Sequence, residues 1–294
     1  MQRVKAIAIG IALLLFSGAA SAQTVKPQEH PEAVRIPIYM VKAHLQRDRE
    51  FKLKYSRLVR GDPYSKEIAL TFDDGPHPDF TPKLLEVLRK QHVPATFFVV
   101  GKMVDKHPEL VQQEVADGHE VANHTYNHYR LIGLDRRTVE DELTQGSEAI
   151  RRAIGQPSRL FRPPGGEYDR AVTDVARRLH LIMVLWTDDP GDYLLTSPDL
   201  VTTRLDSELS DGGIILLHDG IPATLEALPK IIEKWKRRGY KFVTCSQMAS
   251  NPAAIIDGGP VVLPTIVKPK TLKIHLTRPK PIPVKTAPAS DSVL

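Results

Sequence analysis

The chain has 294 residues, of which 41% are hydrophobic, so it can bury the core of one large domain or of two small ones. A single cysteine, Cys245, excludes an intramolecular disulfide, and no stretch after the first 22 residues is long and apolar enough to span a bilayer. The formal net charge of +5 is modest, and residues 252–294 carry a net +4 of it.

The first 22 residues are predicted to be a secretory signal. Arg3 and Lys5 precede an apolar stretch from Ala6 to Phe16, and small residues follow up to a cleavage site after Ala22. A transmembrane anchor is the alternative, but the apolar stretch is shorter than the roughly 20 residues that a spanning helix needs. We therefore expect an exported protein, periplasmic or secreted.

Residues 23–65 show no clear period and are predicted to be a lead-in of loops or short strands. From 66 to 248, short β-type stretches alternate with helical patterns, as in βα units around a mainly parallel sheet. Seven strands are predicted, at Glu67–Phe72, Ala95–Val100, His119–Asn123, Leu160–Arg162, Ile182–Trp186, Ile214–His218 and Tyr240–Thr244. Seven consecutive units fit either an open doubly wound sheet or a barrel close to the eight-unit kind.

Local signals predict where the helices between these strands begin and end. Thr81-Pro82 and Ser197-Pro198 each place a capping hydroxyl before a proline at the first helical position. Gly118, Gly155 and Gly239 are suited to end helices in a left-handed conformation.

Two adjacent carboxylates, Asp73 and Asp74, follow the first predicted strand and precede Gly75-Pro76. Each ionised carboxylate disfavours the charge of its neighbour, so a metal, a shared proton or a bound substrate would resolve the conflict. The pair would also repel a phosphate, and no glycine-rich turn follows the strand, which argues against a nucleotide-binding sheet.

Two histidines, His124 and His128, follow the third predicted strand four residues apart. On a helical turn their imidazoles could converge on one cation, although histidines at this spacing are more often ordinary surface or core residues. Asp73 and Asp74 are expected at the same end of the sheet, which strengthens the interpretation of the two histidines as metal ligands. Two histidines and one carboxylate suit zinc with an open position for water.

Three further segments follow strands at the same predicted edge. Arg162 is expected to be partly buried, and therefore to need a carboxylate partner, unless it belongs to an exposed proline turn. The segment Asp189–Tyr193 offers such a partner, although Pro190-Gly191 is also typical of an exposed turn. His218, at the end of an apolar strand, could act as a general acid with a tunable pKa.

Together these segments resemble the five ordered motifs of the polysaccharide deacetylases, also called carbohydrate esterase family four. The motifs are Thr71-Phe72-Asp73-Asp74-Gly75, His124-Thr125-Tyr126-Asn127-His128, Arg162-Pro163-Pro164-Gly165-Gly166, Asp189 to Tyr193, and Leu216-Leu217-His218. The resemblance covers about residues 66 to 248. It implies a distorted (β/α) barrel of about seven βα units and the metal-dependent removal of acetyl groups from sugars.

The resemblance also implies roles for individual residues. The implied catalytic residues are Asp73 as the base, Arg162 orienting it, His218 as the general acid and Asp192 buttressing these charges. The implied metal ligands are Asp74, His124 and His128, and the expected cation is Zn²⁺. The implied substrate-binding residues are Gly165, through a backbone N–H for the oxyanion, with Tyr193 and Leu216 around the acetyl methyl.

Two positions depart from the family pattern. Gly165 stands where the family often has an aromatic residue, but glycine keeps the backbone N–H to which the implied role belongs. Tyr193 stands where the family usually has tryptophan, and a smaller ring with a hydroxyl would shift substrate preference without removing a catalytic group.

The predicted function is the metal-dependent removal of N-acetyl groups from a polysaccharide that contains N-acetylglucosamine, such as peptidoglycan or a chitin-like glycan. An O-acetyl esterase acting on xylan-type glycans and a non-catalytic glycan-binding protein are the alternatives. Residues 249–294, rich in proline and lysine, are expected to be a flexible tail that could contact acidic wall or membrane surfaces. No nucleic-acid partner is expected.

Overall fold

The computed structural model describes residues 57–251 and 255–257. The predicted signal, most of the lead-in and the tail beyond residue 257 lie outside the described residues, so their assignments stay predictions. Within the described ranges, no helix is both long and apolar enough to cross a membrane.

The described residues contain nine strands, which follow the order β7-β2-β3-β4-β5-β6-β1-β9, with β8 paired to β2. The strands are β1 Arg57–Arg60, β2 Glu67–Asp73, β3 Thr96–Val99, β4 Glu120–Asn123, β5 Leu160–Phe161, β6 Ile182–Val184, β7 Ile214–His218, β8 Lys241–Phe242 and β9 Ile255–Asp257. β9 runs antiparallel to β1, and the other pairs are parallel. All seven predicted strands are present. Five of them are shorter than predicted, namely those predicted to begin at Ala95, His119, Leu160, Ile182 and Tyr240.

The segment after β6 brings the two sides of the sheet together into a distorted barrel. Asp188 forms an isolated parallel bridge with Ile215 of β7. The N–H of Thr187 donates to the carbonyl of Ile214, and the N–H of Leu216 donates to the carbonyl of Asp188, both at 2.9 Å. β5 and β8 have only two residues each, which distorts the barrel. The predicted barrel is therefore confirmed, and the open doubly wound alternative is not.

The sequence allowed short strands in the lead-in but did not locate the first one, because β1 is a four-residue stretch with arginine at both ends and no clear period around it. It pairs in parallel with β6, and Leu58 and Val59 are both buried. The burial of this strand comes from a partner more than 120 residues away, which a local pattern does not show. The sheet thus extends beyond the predicted start of the catalytic domain at residue 66.

Helices cover the outside of the strands. The described helices are α1 Thr81–Lys90, α2 Gly101–Lys106, α3 Pro108–Ala116, α4 Arg136–Ile154, α5 Arg170–Arg178, α6 Pro198–Glu208, α7 Pro222–Arg237 and α8 Cys245–Ala249. Ser197 caps α6 as predicted, by accepting a hydrogen bond from the N–H of Leu200. Thr81 does not cap α1, because Phe80 precedes the helix and the Thr81 hydroxyl donates to Asp219 instead. Gly155 ends α4 in the predicted left-handed conformation, with φ of 79°.

The core has two layers, because alternate residues of each strand face the barrel interior and the helices. Phe97 packs between the sheet and the helices, whereas its neighbour Phe98 lies in the barrel interior. Cys245 and Met248 of α8 belong to the interior cluster. Burying each large apolar side chain contributes about 1.5–3 kcal/mol. The interior is therefore filled with apolar side chains, and the polar groups gather at the carboxyl ends of the strands.

Candidate active site

The predicted site residues meet at one rim of the barrel. They lie where strands end: Asp73 at the end of β2, His124 after β4, Arg162 after β5, Asp192 in the segment after β6, and His218 at the end of β7. The carboxyl ends of parallel barrel strands share one rim, which is where sites form in such barrels. The sheet thus brings together residues that are up to 145 positions apart in the chain.

The two adjacent carboxylates have different surroundings. Asp73 still belongs to β2 and is buried, and its Oδ1 lies 2.7 Å from Nη1 of Arg162. Asp74 adopts a left-handed backbone conformation, with φ of 75°, and its side chain is 41% exposed. The backbone turns at Asp74, so Oδ1 of Asp73 is paired with Arg162 whereas Asp74 faces the histidines. The electrostatic conflict in the sequence is thereby reduced.

Arg162 is a fully buried cation with every side of its guanidinium occupied. Besides Asp73, it donates to the hydroxyl of Thr71 at 2.8 Å and to the carbonyls of Val184 and Leu185 at 3.2 Å. Its guanidinium carbon also lies 4.0 Å above the ring of Phe98. These contacts fix Oδ1 of Asp73. The partner of Arg162 is therefore Asp73 and not the Asp189–Tyr193 segment that the sequence offered.

A second group brings together Asp74, His124 and His128. Oδ1 of Asp74 lies 3.0 Å from Nε2 of His128 and 3.4 Å from Nε2 of His124. The three potential ligand atoms lie within 4.8 Å of one another. Nδ1 of His124 hydrogen-bonds to the carbonyl of Arg162 at 2.8 Å, so its Nε2 is directed towards Asp74. A fixed Nδ1 partner of this kind orients histidine ligands in metal sites.

This group fits a divalent cation in the chemistry of its donors. Burial opposes ionisation of Asp74, but hydrogen bonds with His124 and His128 outweigh it and hold the pKa of this carboxyl far below its usual range. Two imidazole nitrogens and one ionised carboxylate form a donor set typical of zinc sites that keep a position open for water.

The histidines lie in a loop and not on the helical turn that the sequence suggested. Thr125 and His128 both have positive φ, 66° and 63°. Glu142 of α4 holds the loop by accepting hydrogen bonds from the backbone N–H groups of Tyr126 and Asn127. Sequence reasoning missed Glu142. Its signal was a carboxylate beside Leu143 on the apolar face of α4, where a buried charge needs partners.

His218 and Asp192 form the third part of the site. Nδ1 of His218 lies 2.7 Å from Oδ1 of Asp192, and Oδ2 of Asp192 accepts hydrogen bonds from the backbone N–H of His218 and the hydroxyl of Thr224. Burial disfavours the imidazolium. The hydrogen bond and charge of Asp192, with the charges of Asp73 and Asp74, outweigh burial and raise the pKa of His218 to about 9. Thr224, in the first turn of α7, carried no sequence signal.

The structure places the three predicted substrate-binding residues at different depths. Gly165 lies in a 3₁₀ turn, Pro164–Gly166, with φ of 67°. Tyr193 is half exposed, and its ring packs edge-on against His218 with 5.1 Å between centroids. Leu216 is buried in the barrel interior. Tyr193 therefore lies beside the site, whereas its role with Leu216 around an acetyl methyl stays a prediction.

The fold and the site together define a class of protein. An Asp–Arg pair and an Asp–His pair beside a three-residue group of potential metal ligands, all at the carboxyl rim of a (β/α) barrel, are the arrangement of a barrel hydrolase.

Comparison with known proteins identifies the family within this class. The polysaccharide deacetylase family profile matches residues 60–184. A peptidoglycan-N-acetylglucosamine deacetylase from Bacillus cereus is 38% identical over 188 residues, which are 62% of this chain and 88% of that relative. A chitooligosaccharide deacetylase from Bradyrhizobium sp. is 37% identical over 199 residues, 63% of this chain and 91% of that relative. A crystal structure of a CE4 family pseudoenzyme from Bacillus anthracis aligns with a TM-score of 0.64 at 30% identity, covering 67% of this chain and 70% of that one.

The chain belongs to the polysaccharide deacetylase family, carbohydrate esterase family four. The resemblance inferred from the five motifs is therefore confirmed, and so is the distorted barrel. Relatives of this chain are named for two different acetylated glycans, and one is a pseudoenzyme. Family membership thus leaves the substrate, and the roles of individual residues, to be argued from the site.

Proposed function

We propose that the protein removes N-acetyl groups from a polysaccharide that contains N-acetylglucosamine and releases acetate. The observation that carries this proposal is the pairing of two acid–base groups with fixed partners beside the potential metal ligands. Asp73 is held by Arg162 at 2.7 Å, and His218 is held by Asp192 at 2.7 Å. A protein that only bound glycans would not need both groups held in this way.

The residues that would hold the cation are Asp74, His124 and His128, and zinc suits their donor set. When bound, such a cation polarises a carbonyl oxygen and makes water more acidic. Asp73 stays outside this group because Arg162 binds its Oδ1. Its Oδ2, 3.7 Å from Nε2 of His124, lies next to the ligands and is positioned to accept a proton from the attacking water.

The remaining steps are assigned to His218 and Gly165. The N–H of Gly165 would donate to the oxygen that becomes negative when the acetamide carbonyl is attacked. His218 is protonated at neutral pH because its pKa is about 9, and it would give its proton to the departing amine. Tyr193, next to His218, and Leu216 would line the space for the acetyl methyl. The products are a glucosamine unit and acetate.

Acetate release tests this proposal. The protein should release acetate from N-acetylglucosamine oligomers or peptidoglycan, and a chelator should stop the release. Release from acetylxylan alone would instead establish the O-acetyl esterase. Binding to these glycans without acetate release from any of them would place the protein with the non-catalytic relatives, of which the Bacillus anthracis pseudoenzyme is an example. An exported location stays a prediction that rests on the first 22 residues.

Replacing Asp192 by asparagine is expected to move the alkaline limb of the kcat/KM profile to lower pH by roughly one unit or more. His218 must be protonated to act as the acid, so activity falls as pH rises through its pKa, about 9 in the native protein. Without the Asp192 carboxylate, burial lowers this pKa. The measurement is kcat/KM between about pH 6 and 10. Asp199→Asn, at an exposed carboxylate in the first turn of α6, is the matched control. An unchanged limb in Asp192→Asn would contradict the role of His218.

A further inference from the structure

The turn at Gly165 leaves an uncovered space at the rim of the site. Gly165 has φ of 67°, and a Cβ built on it would meet one non-neighbouring heavy atom within 4 Å among the described residues, Nη2 of Arg130 at 3.9 Å. The next glycine differs, because a Cβ on Gly166 would collide with the ring of Trp186. The space beside Gly165 is therefore bounded by a guanidinium, next to the N–H proposed to bind the oxyanion.

Arg130 lies on the loop that carries the histidines, two residues after His128. Its Nε lies 3.4 Å from Oε2 of Glu167, while the side chain as a whole is 73% exposed. Glu167 therefore engages the Nε side of the guanidinium, and the Nη2 atom is turned towards Gly165. The planar fork of an arginine side chain matches a carboxylate through two parallel hydrogen bonds.

Arg130 differs from the other cations of the site, because those are already paired with aspartates of the site. Asp73 is paired with Arg162 and Asp192 with His218, so these two cations are already engaged by carboxylates of the site. Arg162 cannot compensate for an added anion, because it is fully buried and already paired with Asp73. Arg130 is largely exposed at the edge of the same site, 3.4 Å from Glu167, and its Nη2 faces Gly165. An anionic group on the substrate would therefore be stabilised on the Gly165 side of the site.

We propose that Arg130 is a specificity-determining residue that binds a carboxylate substituent of the glycan beside the reacting acetamide. The preferred substrate is then an acidic glycan, in which sugars with a carboxylate accompany N-acetylglucosamine, and not a neutral chitin-like oligomer. This inference rests on the proposed deacetylase function and adds the substrate class to it. Glu167 orients Arg130 and also competes with the substrate carboxylate for it.

The test compares one glycan in two charge states. Peptidoglycan glycan chains freed of peptide are used with their lactyl carboxylates intact and after methyl esterification, which removes the charge and keeps the sugars. The native protein should have a kcat/KM for the carboxylate form about three- to tenfold above that for the ester, the range typical of exposed to partly buried charged hydrogen bonds. Added salt should reduce this ratio, because it screens exposed charges.

Three variants test whether Arg130 is the source of the preference for the carboxylate form. Arg130→Ala should bring the ratio close to one, mainly through a higher KM for the carboxylate form. Glu167→Gln should raise the ratio, because it frees the guanidinium for the substrate. Arg151→Ala is the matched control, since Arg151 is an exposed arginine paired with Glu148 near the far end of α4, and it should leave the ratio unchanged.

Failure of this inference is distinguishable from failure of the proposed function. If the native protein hydrolyses both forms equally, or if Arg130→Ala lowers both rates by the same factor, Arg130 does not select acidic glycans although the deacetylase function stands. Release from a neutral N-acetylglucosamine oligomer but from neither peptidoglycan form would overturn only the inference about acidic glycans. If neither form nor the oligomer releases acetate while the protein folds normally, the deacetylase function itself is wrong.

Discussion

Asp73→Asn is expected to lower kcat for acetate release by about 10²- to 10⁴-fold, the usual contribution of a general base. Asparagine has nearly the shape of aspartate but cannot take the proton of the attacking water. The variant should still bind zinc, because the ligand atoms of Asp74, His124 and His128 come from other side chains. A large loss of turnover with retained metal binding therefore separates the base from the ligands.

Asp73→Asn is also expected to lower the free energy of unfolding, and the experiment must separate this loss of stability from the loss of turnover. Arg162 is fully buried, and removing the charge of its partner leaves a buried cation without full compensation, which typically costs about 3–5 kcal/mol when a partner is removed outright. The amide oxygen can still accept a hydrogen bond, so the cost should be smaller. Thermal unfolding measures it, and kcat is compared at a temperature where the variant is folded.

Asp79→Asn is the matched control, because Asp79 is an exposed aspartate in the loop that follows Asp74. It should retain native kcat and native zinc affinity. The assignment of Asp73 as the base would be wrong if Asp73→Asn released acetate at the native rate. If Asp73→Asn lost zinc as well as activity, Asp73 would belong with the metal ligands.

Which residues form the site was predictable from the sequence, because a parallel barrel brings the ends of its strands together. Asp73, His124, Arg162 and His218 each follow an apolar β-type stretch, and the carboxyl ends of parallel strands share one rim. Which of these residues contact one another was not predictable from the residue types and their spacing alone. Arg162 selects Asp73 because its side chain lies between the ends of β2 and β6 inside the barrel, a matter of three-dimensional direction that sequence spacing does not encode.

The residues that sequence reasoning missed share a physical cause. β1 is buried by β6, far away in the chain, and Thr224 reaches Asp192 from α7. The local sequence predicts Thr81 as a helix cap, yet its hydroxyl donates to Asp219, so a tertiary partner replaces the local one. Propensities describe what a segment does alone, and these contacts come from segments that the sheet brings together.

Removing one imidazole from the potential metal ligands is expected to cause a large loss of zinc affinity. His128→Asn should lower zinc affinity by at least about 100-fold, since changes to groups behind the metal ligands already cost 10- to 100-fold. Acetate release at limiting zinc should fall with it. Asparagine suits this position because His128 has φ of 63°, a left-handed conformation that asparagine adopts more readily than most residues. The variant therefore removes the donor nitrogen with little backbone strain.

Zinc-dependent unfolding gives a readout that does not depend on activity. At a free zinc concentration 100 times its Kd, binding stabilises the native protein by about 2.7 kcal/mol, which raises Tm by roughly 5–10 °C for a domain of this size. His128→Asn should lose this shift, whereas its Tm without zinc should stay near the native value, because the side chain is 43% exposed. His180→Asn is the matched control, since His180 is exposed and has φ of 53°. An equal zinc shift in His128→Asn and the native protein would exclude His128 as a ligand, and an equal loss in His180→Asn would show that the shift does not report this site.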